Sequence, residues 1–198
     1  PSGTKPRPLV IALHGLGQSV LSLRNSFGLD AVASRENFVA AYPEGIEKRW
    51  YYGRQITNPM PLVHGAEVDA IQFLRALITR LVSTHDVDPA RVYLLGISNG
   101  ALMAYRAACD MGSELAAVAA FISPMTDLQQ EDCPMGPAMP VFILAGNEDK
   151  FQGYYGAAGR LGVGRLVSVP DTFRFFRERN RCSGLHTEEL PDRDPEDG

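Results

Sequence analysis

Apolar positions along the chain follow two rhythms. Short runs rich in Val, Ile, Leu and Phe occupy residues 9–13, 38–42, 92–97, 117–122 and 141–145, each bounded by polar, Gly or Pro residues. That is the pattern of strands buried on both faces of a parallel sheet. Between them, longer segments repeat apolar residues at helical steps. In residues 68–82 the apolar positions are Val68, Ile71, Leu74, Leu77, Ile78 and Leu81, which predicts an amphipathic helix. Residues 99–111 and 171–181 read the same way, with Pro170 before the latter as a start signal. A shorter helix is predicted over residues 27–35, weakened by Gly28 near its start. Strands alternating with helices predict an α/β domain, a mostly parallel sheet with helices on both faces.

Two connections stand out. Residues 43–65 carry the only Trp, Trp50, beside Tyr51 and Tyr52, and residues 124–140 hold Cys133 and four prolines. Long loops in a compact domain are usually functional. Ligands of open parallel sheets bind beyond the carboxyl ends of the strands, and the Trp50 loop follows a strand. Composition adds limits rather than a function. The 198 residues, 45% apolar and 21% charged, suit one globular core at residues 1–198. A net charge of −4 argues against a nucleic-acid partner. No apolar run approaches the roughly 18 residues of a membrane span. Three scattered cysteines, with no CxxC pair, predict no zinc site, and no cofactor is expected.

The decisive segment is Gly96-Ile-Ser98-Asn-Gly100, set between a predicted strand and a predicted helix. A Ser on such a sharp turn has strained backbone angles, and residues two positions away must lack side chains to let strand and helix pass closely. The turn would present Ser98 Oγ at the top of the sheet as a nucleophile. It would also place the N–H of Asn99 at a helix N-terminus, where it can stabilise an oxyanion. A second donor is expected from His14-Gly15-Leu16-Gly17, which ends the first strand, with the N–H of Leu16 facing the nucleophile. A dinucleotide fingerprint at the same glycines is rejected, because Val20 stands where the third Gly belongs. His14 reads as a structural residue beneath this loop.

A carboxylate that orients a base is expected after a later strand. Asp149 is the first choice and Glu148 the alternative. The base itself is the difficulty. Chain order in this arrangement is Ser, acid, His, and only His186 lies downstream of Asp149, with no further strand to position it. His64 and His85 lie upstream, and His85 reads as a helix end. The base is therefore expected beyond residue 198.

These residues carry a resemblance. Pro8-Leu-Val-Ile-Ala-Leu-His-Gly-Leu-Gly-Gln, Ala41-Tyr-Pro-Glu-Gly, Glu67-Val-Asp-Ala, Asp88-Pro-Ala-Arg-Val-Tyr and Gly96-Ile-Ser-Asn-Gly recur in order, followed by Ala145-Gly-Asn-Glu-Asp, Ser168-Val-Pro-Asp and Asn180-Arg-Cys-Ser. The set resembles the polyhydroxybutyrate depolymerase and feruloyl-esterase-type family of α/β-hydrolases, over nearly the whole chain. The resemblance implies an α/β-hydrolase fold, Ser98 as nucleophile, Asp149 as acid, and Leu16 and Asn99 as oxyanion donors. It places Trp50 and Tyr51 near the substrate, with a core role for Trp50 as the competing reading. The family's G-H-x-W-P-like motif, which holds its catalytic His, is absent, as are the strands that precede the P-L-V segment. The resemblance thus implies a core cut at both ends, at Pro1 and at the acidic stretch ending in Gly198, or a chain that has lost its base. It implies a secreted or periplasmic protein in which Cys109 and Cys133 could pair while Cys182 awaits a partner further on; three reduced thiols are the alternative.

The expected function is a serine esterase acting on polyhydroxyalkanoate oligomers, feruloyl or acetyl polysaccharide esters, or similar short acyl esters. The partner is then a small-molecule or polymeric ester substrate, with no nucleic acid and no membrane span. The competing readings are a non-catalytic binding protein on the same fold and, more weakly, a peptidase.

Overall fold

The computed structural model describes residues 5–53, 62–63, 66–67, 69–158 and 165–191. In chain order its elements are β1 (Arg7–Leu13), α1 (Val20–Phe27), α2 (Leu29–Glu36), β2 (Val39–Ala41), β3 (Leu62–Val63), β4 (Ala66–Glu67), α3 (Ala70–Thr84), β5 (Val87–Ile97), α4 (Asn99–Asp110), β6 (Ala117–Phe121), α5 (Asp127–Glu131), β7 (Val141–Leu144), β8 (Ala157–Ala158), β9 (Arg165–Leu166) and α6 (Val169–Arg179). Five strands form one sheet in the order β2-β1-β5-β6-β7, and every neighbouring pair is parallel. These are the five apolar runs of the sequence. The remaining strands make two small antiparallel hairpins, β3-β4 and β8-β9.

Alternation along β1 shows how the sheet is covered. Leu9, Ile11 and Leu13 face one cluster with α3, α4 and Phe176 of α6. Val10 and Ala12 face the other, with Leu23 of α1 and Leu29 of α2. Helix α4 is the most deeply placed of the helices: Gly100 to Tyr105 and Ala107 to Cys109 are all buried. A helix apolar on every side is one enclosed by its neighbours. At the far edge the cover thins. Phe142 and Leu144 on β7 are 56% and 53% exposed, on the face that α1 and α2 protect over β1 and β5.

Two segments differ from the sequence reading. The helix expected over residues 27–35 is α2, which starts only after Gly28, and a helix that was not expected, α1, precedes it; Gly28 caps the C-terminus of α1 and the N-terminus of α2 at φ 66°. Two turns of α1, with Leu23 its one buried residue, are too short to register as a period. Residues 124–140, read as a loop, contain α5. A reciprocal capping box nucleates it: Thr126 accepts from the Gln129 N–H while the Gln129 side chain accepts from the Thr126 N–H. A single helical turn is too short to register as a period.

The register aligns the strand ends. Leu13 is level with Gly96, Ile97 with Phe121, and Phe121 with Leu144. The residues that follow β1, β5, β6 and β7 therefore gather at one carboxyl edge.

Candidate active site

Ser98 sits where β5 becomes α4, at φ 54° and ψ −113°. A left-handed φ at a non-Gly residue is strained, and it persists only where surroundings fix it. Three features fix it here. The Ser98 N–H donates to the Phe121 carbonyl at 2.9 Å. A Cβ on Gly96 would run into the carbonyl of Gly100. A Cβ on Gly100 would run into the carbonyls of Leu13 and His14 at the end of β1. The glycines thus permit two close passages, helix start over strand end and helix start over β1. The Ser98 side chain stays partly exposed.

The loop after β1 comes next to it. An added Cβ on Gly15 would lie 3.6 Å from Ser98 Cβ. The loop closes on itself through Gln18, whose N–H donates to the Gly15 carbonyl and whose side-chain oxygen accepts the Gly15 N–H. His14 is fully buried. Its Nε2 accepts from the Gly45 N–H at 2.9 Å, so the ring proton is on Nδ1, which donates to the Gly15 carbonyl at 2.8 Å. With both nitrogens engaged, His14 is a strut beneath the loop. The Gly17 N–H donates to the Lys48 carbonyl. Leu16 lies between these anchored residues with its side chain 44% exposed, and its N–H has no hydrogen-bond partner among the described residues.

Asp149 follows β7 in a tight turn. Its Oδ1 accepts the N–H groups of Phe151 and Gln152 at 2.7 and 2.9 Å, which fixes the carboxylate in place. Glu148 beside it is exposed. The same turn aims Gln152 at the nucleophile: its Nε2 lies 3.5 Å from Ser98 Oγ, and its Oε1 accepts from Ser123 Oγ at 3.1 Å. Ser123 is fully buried after β6, and its carbonyl accepts from the Tyr105 hydroxyl. Burial pushes the Tyr105 hydroxyl well above its ordinary value, which keeps it a neutral donor. The structure therefore brings Ser98, the loop around Leu16, Asn99 and the Asp149 turn to one edge. Gln152 and Ser123 went unnoticed in the sequence, where nothing marks a polar residue in a turn as facing the nucleophile.

The aromatic pair divides. Trp50 is only 4% exposed and packs between His14 and Phe73, at ring distances of 5.3 and 6.3 Å. The competing core reading fits this ring, and a stacking wall does not. What ties Trp50 to the site is its backbone. Its N–H donates to Asn99 Oδ1 at 2.6 Å and its carbonyl accepts from Asn99 Nδ2 at 3.1 Å. Tyr51 is half-buried, with the Arg49 guanidinium 5.9 Å above its ring.

Of the histidines, His85 caps the C-terminus of α3 as expected, and His64 lies outside the described residues. His186 is exposed and lines a cleft with Val141, Ile143, Phe173 and Cys182. No described hydrogen bond joins any histidine to Ser98 or Asp149. Cys109 and Cys133 form a disulfide, and Cys182 is free and exposed. Among the described residues no group of three or more His, Cys, Asp or Glu could hold a metal, and no helix is long and apolar enough to cross a membrane.

This geometry has relatives. The chain is 32% identical over 157 residues to a protein of Nocardia uniformis subsp. tsuyamanensis named as the esterase NocK, covering 79% of this chain and 44% of that one. It is 30% identical over 100 residues to feruloyl esterase B of Neurospora crassa, covering 50% and 33%. The chain spans less than half the length of the curated relatives it matches. Among solved structures, a Bacillus cereus carboxylesterase aligns with a TM-score of 0.57 at 15% identity, covering 89% of this chain and 76% of that one. That likeness concerns the fold, which is the α/β-hydrolase fold. The family model described as Esterase PHB depolymerase matches residues 2–126. More than half of the chain, with the Ser98 elbow and the loop around Leu16 inside it, falls within that match, and the chain belongs to the Esterase PHB depolymerase family.

Proposed function

We propose that this chain carries the catalytic core of a serine carboxylic-ester hydrolase. The observation that supports it most is the strained backbone of Ser98, held between β5 and α4 by glycines that neighbouring carbonyls do not allow to be anything else. Ser98 Oγ attacks the ester carbonyl while its proton passes to a histidine base oriented by Asp149. The N–H groups of Leu16 and Asn99 hold the oxyanion of the tetrahedral intermediate. The intermediate collapses to an acyl-enzyme, and the alcohol leaves with the proton from the histidine. Water then attacks the acyl group through the same base, releasing the acid and restoring Ser98. Substrates are hydroxyalkanoate oligomers, feruloyl or acetyl esters of polysaccharide, or similar short acyl esters, a range supported by relatives named feruloyl esterase B and poly(3-hydroxyalkanoate) depolymerase C. Of the aromatic pair, Tyr51 keeps the surface to meet an acyl or sugar group. The Cys109–Cys133 disulfide supports an oxidising, secreted or periplasmic setting.

A second reading rests on the lack of a described hydrogen bond from any histidine to Ser98. In that reading the chain is a binding protein on a hydrolase fold. The two part on one experiment. In the full-length protein, Ser98→Ala is expected to lower p-nitrophenyl acetate turnover by about four to six orders of magnitude and to abolish labelling by a fluorophosphonate probe, with circular dichroism unchanged. Turnover surviving the substitution would sink the esterase mechanism. A parent protein that neither turns over ester nor accepts the label would favour the binding protein.

A further inference from the structure

Asn99 follows the nucleophile, and its side chain is bonded to the Trp50 loop. Both halves of its amide are used: Oδ1 accepts the Trp50 N–H and Nδ2 donates to the Trp50 carbonyl. A two-point contact of this kind fixes orientation as well as distance, as a rung of a β-ladder does. About two turns further along α4, Arg106 reaches the Tyr52 carbonyl at 3.4 Å, so the same helix side holds the next stretch of the loop.

The other end of this loop is bonded to the segment around Leu16. The Gly45 N–H donates to His14 Nε2, and the Lys48 carbonyl accepts the Gly17 N–H at 2.8 Å. Between these anchors the loop is tightly wound. Glu47 and Lys48 both have left-handed φ, 52° and 56°, and a Cβ on Gly45 would strike the Arg49 carbonyl. Strained angles of this kind persist only where contacts over-determine them. Residues 45–50 thus span from one proposed oxyanion donor to the other, bonded at each end and stiff in the middle. Trp50 fills the space beneath with its buried ring against His14.

We infer that the Asn99 side chain is a positioning residue: through the Trp50 backbone and the 45–50 loop it sets the separation of the Leu16 and Asn99 amides. The inference rests on the oxyanion assignment proposed above. Oxyanion donors must reach the developing charge at hydrogen-bond distance, and a misplacement of about 1 Å can cost on the order of 100-fold in rate. The clamp would therefore act on the transition state and leave ground-state binding largely alone.

The test uses the full-length protein with Asn99→Ala and Asn99→Asp. The aspartate keeps the acceptor for the Trp50 N–H but faces the Trp50 carbonyl with a carboxylate. Both variants are expected to lose about 10- to 100-fold in kcat, with KM changed less than about threefold. Affinity for a trifluoromethyl ketone transition-state analogue should fall in step with kcat/KM, and affinity for the product acid should not. Ser98 should still be labelled by a fluorophosphonate, more slowly. Trp50 is the only Trp of these 198 residues, and the part of the full-length protein's intrinsic fluorescence that a Trp50→Phe control removes reads the loop without reference to activity; acrylamide quenching of that part should rise in both variants. Asn99→Ser serves as the milder substitution if the alanine variant does not fold. Unchanged kcat with the loop loosened would overturn the inference, and so would unchanged quenching. Equal losses for analogue and product acid would do the same, as the mark of general damage. A parent that turns over no ester and takes no label would instead defeat the esterase reading, and this inference with it.

Discussion

A methyl group at Gly100 has no room between the start of α4 and the carbonyls of Leu13 and His14. Gly100→Ala should push the helix off β1 and cost about 2–3 kcal/mol, the upper part of the usual range for an overpacked core. For a chain of this size that lowers Tm by roughly 5–10 °C, measurable in a thermal melt monitored by circular dichroism. An unchanged melt would mean that α4 is not seated on β1. The need for glycine here is local and steric, which is why the elbow was legible in the sequence. Trp50 was less so, because an aromatic side chain in a loop carries no mark of which way its ring turns. The Asn99 clamp was invisible for a related reason: its partner is a backbone group brought back across the sheet by a loop.

Gly28 is an argument about elements. Read as a weak residue inside one helix, it should yield to Ala with a gain of about 1 kcal/mol. Read as the left-handed joint between α1 and α2, with φ at 66° and open space around it, it should resist. Gly28→Ala is then expected to destabilise by about 1 kcal/mol, the cost of a left-handed alanine. Denaturant titration decides by the sign of the change alone. The long helices and the central strands were legible because each repeats its pattern several times over. Gly28 and the α5 turn were not, because a joint and a single turn have no period. They are set by a backbone angle and by a capping box.

At the scale of the molecule, the alternation of strands and helices foretold a parallel sheet with helices on both faces. It did not foretell the strand order, which depends on where each connection crosses. That order brings the ends of β1, β5, β6 and β7 together and so makes the site. The pairing of Cys109 with Cys133 was one of several open options in the sequence, since only the fold brings the end of α4 beside the segment after α5. The bridge closes a loop of 24 residues, worth about 3 kcal/mol by chain entropy. Cys133→Ser, or reduction, should therefore lower Tm by roughly 6–12 °C. A shift below about 2 °C would mean that the bridge restrains little.

Helix α4 begins at the clamp on Trp50, ends at that disulfide, and is buried along nearly its whole length. Segments of this kind exchange their amide hydrogens last, because only global unfolding exposes them. The nucleophile is borne at the tip of the part that opens last. Partial fraying of the edge strand or the outer hairpins should leave it in register, and heat should extinguish catalysis and fold in a single step.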